Sequence, residues 1–131
     1  MKKDIEIPVV KDVYVAIIRE WNEEFLDKDW NAYVINDKDT AIEMTMVVSK
    51  GYDGNRKTSI MRHNLGIVEP KSSKKIEVVQ EDVLTLNNEF FVTFFANGTL
   101  HDKRFVFEKN TVTESNLRVI PLIEKEGIYA K

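Results

Sequence analysis

The sequence predicts an all-β protein: an immunoglobulin- or fibronectin-like β-sandwich of about seven to eight antiparallel strands. Three observations predict it. Apolar residues recur mostly with period two, the spacing of a strand with one buried face. Turn-forming clusters interrupt the chain roughly every 8–12 residues, as in sandwiches and barrels. No strand alternates with a long amphipathic helix, which sets aside a doubly wound α/β fold. The chain has no cysteine, so the Cys-Trp-Cys pattern of antibody domains is absent and the likeness is one of architecture.

Residues 13–25 fit two patterns. Val13, Tyr14, Ile17, Ile18, Trp21 and Phe25 suit a helical stripe, but residues 13–18 are also a β-branched run, which helices disfavour because χ1 freedom is lost. A strand is expected, with residues 22–28 as the turn. Residues 30–35 are aromatic and β-branched, residues 36–40 are a polar turn, and residues 41–48 alternate cleanly. Residues 30–48 therefore read as a hairpin, with Ile42, Met44, Met46 and Val48 on its core face and Glu43 and Thr45 opposite.

A loop with Gly51 and Gly54 follows. Residues 58–68 are extended, with Met61, Leu65 and Ile67 in phase, and Pro70 closes them. Residues 71–74 are a turn and 75–79 a short strand. Residues 90–96, Phe-Phe-Val-Thr-Phe-Phe-Ala, form a strand, Asn97-Gly98 is a hairpin turn, and residues 100–107 return. A two-residue turn sets His101 opposite Phe94 and Lys103 opposite Val92. A bulge or longer loop is expected to bring Phe105 and Phe107 into phase instead. Residues 113–116 suit one helical turn, and residues 117–123, broken by Pro121, an edge segment.

With 131 residues, 43% hydrophobic and 31% charged, the chain reads as one domain spanning residues 1–131. Zero cysteines exclude a disulfide scaffold, a thiolate zinc site and a cysteine nucleophile. A net charge of −3 and a pI near 5.5 argue against a nucleic-acid partner. No window of about 18 apolar residues exists, so no membrane partner is expected. Asp4, Glu6 and Pro8 interrupt what a signal peptide would keep apolar, and the expected location is the cytoplasm.

Catalytic signatures are missing. His63 and His101 are the two histidines, with no His-x-x-x-His spacing, and both read as half-exposed strand residues rather than metal ligands. No Gly-x-Ser-x-Gly elbow, Gly-x-x-x-x-Gly-Lys or Gly-x-Gly-x-x-Gly occurs. Asp37-x-Asp39 lacks the rest of a calcium loop. The acidic pairs Glu23-Glu24, Asp27/Asp29 and Glu81-Asp82 fall in expected loops. No catalytic residue, metal or cofactor is assigned.

Charge is uneven. Between Lys50 and Lys75 seven basic residues face two acidic ones, +5, and the remainder of the chain is −8. Opposed fields of this kind steer a protein partner or a second copy. Alternation places Arg62 and Asn64 on an outer face and His63 beside the core. The candidate partner-binding residues are Lys57, Arg62, Lys74 and Lys75, facing an acidic partner such as the Glu23-Glu24 loop of another subunit.

Four stretches carry a resemblance over most of the chain. They are Trp30-Asn31-Ala32-Tyr33 with Ile35-Asn36-Asp37; Ser49-Lys50-Gly51-Tyr52-Asp53-Gly54; Lys57-Thr58-Ser59 with Met61-Arg62-His63; and Leu86-Asn87-Asn88-Glu89-Phe90. Together they resemble a small family of bacterial proteins without an established activity, members of which often carry the label phenylalanyl-tRNA synthetase alpha subunit. The resemblance implies a β-rich fold and supplies no site residue. The chain has no Gly-rich motif with the ATP-binding arginine of such a synthetase, so the label would imply an accessory role. The leading expectation is a non-enzymatic cytosolic domain acting through protein contacts. The alternatives are the synthetase-accessory role and a small hydrolase with an unrecognised site.

Overall fold

The computed structural model describes residues 10–130. The N-terminal residues read above for a targeting signal lie outside that range. Among the described residues ten strands form two antiparallel sheets: β1 (Val13–Asn22), β2 (Asp27–Asn36), β3 (Ile42–Asp53), β4 (Arg56–Lys57), β5 (Met61–Val68), β6 (Ser72–Val79), β7 (Asn87–Ala96), β8 (Thr99–Phe107), β9 (Arg118–Ile120) and β10 (Lys125–Tyr129). One sheet runs β6-β2-β1-β10-β9. In the other, β3 pairs with β7, which pairs with β8, while β4 and β5 both pair with β3. The main core lies between the sheets, with Val15, Ile17 and Val34 from the first meeting Val47, Phe90, Val92 and Phe94 from the second. Among the described residues no helix is long and apolar enough to cross a membrane.

The β-branched run at 13–18 is a strand, as expected. It pairs with β2 without interruption from Val13↔Asn36 to Asn22↔Asp27. Glu114–Asn116 is a single 3-10 turn, and β9 is an edge strand.

The expected hairpin over residues 30–48 does not form. β2 and β3 belong to different sheets, and the polar turn between them is a crossover. Asn36, fully buried, explains the corner. Its amide donates to the carbonyls of Thr40, Val68 and Glu69, and its oxygen accepts from the Lys38 N–H. One side chain thus ties the end of β2 to the start of β3 and the end of β5.

Met44 and Met46, expected in the core, face solvent at 66% and 43% exposure. The cause is a β-bulge. Glu43 pairs with Phe95 and Met46 with Thr93, so three residues of β3 span two of β7. Met44 sits in the left-handed region at φ 49°. The extra residue flips the phase, because side chains alternate with period two. Ile42 points inward before the bulge, and Thr45, Val47 and Ser49 do so after it. Met44→Ala and Met46→Ala are therefore each expected to change stability by less than about 0.5 kcal/mol in urea denaturation. A loss of about 2 kcal/mol at either, typical of a buried methionine, would contradict this phase.

The hairpin at Asn97-Gly98 is the two-residue form. Both turn residues have positive φ, at 53° and 75°, as a type I′ turn requires. The expected bulge is absent: pairing runs unbroken from Ala96↔Thr99 to Asn88↔Phe107. His101 therefore does oppose Phe94. The imidazole lies nearly flat on the ring, with centroids 5.2 Å apart and planes 13° off parallel. Lys103 opposes Val92, and its ammonium sits 5.1 Å from the centre of the Phe105 ring. Aromatic contact lets both polar residues share the inner face at the margin of the sandwich.

The outer face of the β6-β2-β1-β10-β9 sheet carries a small second core of Ala16, Ile18, Ile35 and Ile120, with Tyr33 against it. Beside it Glu20 accepts from Tyr33 Oη at 2.6 Å, Asn31 Nδ2 at 2.9 Å and Lys125 Nζ at 3.0 Å. Burial opposes the Glu20 charge, but these bonds outweigh it and hold the carboxyl below its usual range. Burial and the neighbouring carboxylate push the Tyr33 phenol far above its ordinary value. The carboxyl therefore contributes stability at neutral pH that is lost as pH falls through its folded value. The phenol contributes stability below about pH 10 that is lost in alkali. Denaturation across pH is expected to show both limbs, with Glu20→Gln flattening the acid one and Tyr33→Phe the alkaline one. An alkaline limb unchanged in Tyr33→Phe would contradict this network.

Candidate functional site

The outer face of the sheet built on β3, β7 and β8 is assembled from cross-strand rows, since directly paired residues share a face. Val48 pairs with Arg62 on β5 and Phe91 on β7, and Phe91 pairs with Arg104 on β8. In the next row Met46 lies between Asn64 and Thr93, and Thr93 pairs with Asp102. Beyond that, Phe95 lies between Glu43 and Leu100. Met44, Met46 and Leu100 are exposed, and Val48, Phe91 and Phe95 are half-buried. They form an apolar strip across β3, β7 and β8. A shallow hollow of about 450 Å³ lies beside it, lined by Met44, Met46, Asn64 and Ile67.

Charges border the strip. Glu89, itself 8% exposed, lies 3.1 Å from Arg104 and 3.7 Å from Lys50. Two cations offset the desolvation of its carboxylate. The Arg104 guanidinium sits 5.7 Å from the centre of the Phe91 ring.

The four basic residues chosen from sequence do not share one surface. Arg62 stands on this outer face, as the alternation predicts. Lys57 pairs with Tyr52 on the same side, further along β3. Lys74 is on β6 in the other sheet, and its ammonium donates to the Leu65 and Ile67 carbonyls at 2.7 and 2.9 Å. It acts as a tether between the sheets. Lys75 pairs with Tyr33, away from the strip. Sequence reasoning placed Met44 and Met46 in the core because the bulge that decides which way β3 faces is not visible in it, and it assigned no role to Phe91, Phe95 or Arg104.

His63 points the other way, half-buried, with Nε2 2.7 Å from Glu77 Oε1. Ser49 Oγ donates to the same oxygen at 2.6 Å. The arrangement differs from a Ser-His-Asp triad. There the imidazole stands between hydroxyl and carboxylate and removes the hydroxyl proton. Here the carboxylate stands in the middle and accepts from both. The trio joins β3 and β5 to β6, and with Lys74 it closes that side of the sandwich.

No family model and no curated protein matches the chain.

Among the described residues no three His, Asp or Glu side chains are grouped to hold a metal ion. A hollow of about 630 Å³ opens near Phe107, Leu117 and Ile128. On its rim Asn116 Nδ2 donates to the Thr111 carbonyl and Thr111 Oγ1 to that of Glu108. At one end of the main core the Arg19 guanidinium lies 4.8 Å from the centre of the Trp30 ring, with Glu114 at 3.3 Å and Glu81 at 3.7 Å.

Proposed function

We propose that the chain is a non-enzymatic, cytoplasmic interaction module of immunoglobulin- or fibronectin-like architecture that works through protein contacts on the outer face of the β3-β7-β8 sheet. The observation that carries the reading is the β3 bulge. Among the described residues eight non-glycine residues have positive φ, and Met44 alone of them lies inside a strand. Such a residue is strained by roughly 1–3 kcal/mol, and strain of this kind clusters at functional sites. Here it turns two methionines outward, next to Phe91, Phe95 and Leu100. Methionine side chains are adaptable and are favoured on surfaces that accept protein partners. A contiguous exposed apolar patch with a polar rim marks a contact site.

The test is comparative capture from cell extract, using the wild type and a Met46→Lys/Phe91→Lys variant of unchanged circular dichroism. The reading expects proteins, including further copies of the chain, that the wild type retains and the variant loses. Identical sets from both baits would overturn it. The same experiment addresses the synthetase-accessory role, which rests on the resemblance of residues 30–37, 49–54, 57–63 and 86–90 alone. That role requires an aminoacyl-tRNA synthetase among the proteins retained.

A further inference from the structure

Building on that reading, we infer that the occupant of this face is a second copy of the chain, packed sheet to sheet about a two-fold axis that crosses the strands between the Val48 and Met46 rows. Three features of the face point to it.

The first is charge balance. Within the rows from Glu43 to Lys50 the face carries three cations, Lys50, Arg62 and Arg104, and three anions, Glu43, Glu89 and Asp102, with Lys57 one row further along. A nucleic acid or a strongly acidic partner would favour one sign, whereas a self-complementary interface needs both in equal measure.

The second is their placement. Arg104 and Asp102 point outward from β8 two residues apart, opposite Phe91 and Thr93. An axis crossing the strands between these rows sets Arg104 against the second copy's Asp102, and Asp102 against its Arg104. The same operation sets Val48 against Met46, Phe91 against Thr93, and Arg62 against the neutral Asn64. An axis parallel to the strands would instead oppose Arg62 to Arg104, which like-charge repulsion disfavours. Either axis keeps the two sets of strands nearly aligned, as stacked sheets prefer, so the charges decide between them.

The third is size. Four strands about 4.8 Å apart, over six residues of about 3.4 Å, give a backbone footprint of roughly 15 by 20 Å. Side chains extend this to the order of 600–800 Å², close to the roughly 800 Å² per partner of a standard interface.

Sedimentation velocity over a wide concentration range tests the inference on four proteins: wild type, Arg104→Asp, Asp102→Arg and the double charge swap. The wild type is expected to dimerise with rising concentration, less readily in high salt. Each single variant is expected to weaken dimerisation at least tenfold, and the double swap to restore it in part, because position 104 also borders Glu89. The two single variants, mixed, are expected to dimerise with each other, since one then presents only anions at these positions and the other only cations. A wild type monomeric at every concentration overturns the dimer. So does a mixture of the two single variants that stays monomeric. If the face nevertheless retains a foreign protein that Met46→Lys/Phe91→Lys loses, the interaction-module reading stands without the dimer. If neither association is seen, both fall.

Discussion

Asn36→Asp is expected to destabilise the protein by about 3–5 kcal/mol, the range for a buried charge left without a partner. The replacement is nearly isosteric, so packing is unchanged. What changes is the donor. The amide nitrogen of Asn36 feeds three carbonyls from separate parts of the chain. A carboxylate would set negative charge against all three. Asn36→Ala, which only removes the bonds, is expected to cost about 2–4 kcal/mol, at roughly 1 kcal/mol per bond plus the burial of unpaired carbonyls. The aspartate variant should also regain stability in mild acid, because a buried carboxyl that titrates higher when folded loses its contribution as pH rises. Guanidinium denaturation at neutral and mildly acid pH measures both. Losses below about 1 kcal/mol in both variants would mean that the β2–β3 corner is held by something other than this side chain.

Gly127→Ala is expected to cost about 2–3 kcal/mol, at the upper end of overpacking effects. Gly127 lies on β10 between Ile18 on β1 and Arg118 on β9. A methyl group there would approach the Ile17 carbonyl to 2.6 Å, Ile18 Cδ1 to 2.7 Å and Ile120 Cγ1 to 3.2 Å. The side chains of Ile18 and Ile120 could shift, but a strand carbonyl cannot move without loosening the β1–β10 pairing. The small outer core of Ala16, Ile18, Ile35 and Ile120 depends on that pairing. Thermal unfolding of Gly127→Ala checks it. An unchanged midpoint would show that β10 sits further from β1 than the structure has it.

Much of the fold is legible in the sequence because it depends on neighbours. The β-branched run at 13–18 reads as a strand, and Asn97-Gly98 specifies its own turn type. The outward direction of Arg62 and the inward direction of His63 follow from alternation along an unbroken segment. What the sequence hides depends on residues far apart. Nothing in residues 36–40 distinguishes a hairpin turn from a crossover, since the carbonyls that decide it belong to Val68 and Glu69. Lys74 reads as a partner-binding cation until β5 is seen to lie across from it. β10 escapes notice because Lys-Glu-Gly-Ile-Tyr shows no alternation, and its glycine is needed for close approach rather than for a turn.

The bulge at Met44 is the most consequential of these, because it reverses the face of β3. In an ideal strand Met44 and Met46 would bury beside Ile42. With one extra residue they join Phe91 and Phe95 on the outer face, and the surface proposed to bind protein comes into being. The candidate site was thus half legible, with Arg62 readable from alternation and its apolar neighbours concealed by one left-handed residue.

Methionine oxidation tests the central claim most directly. Met44, Met46 and Met61 are all exposed, but Met61 pairs with Ser49 and lies on the opposite side of the sheet from the strip. Brief peroxide treatment followed by peptide mass spectrometry gives the oxidation rate of each, in dilute purified protein and in concentrated cell extract containing the same protein. If the outer face is a protein-contact surface, Met44 and Met46 become protected in extract relative to Met61. If all three keep the same relative rates in both settings, that face stays bare in the cell's own mixture and the account is contradicted.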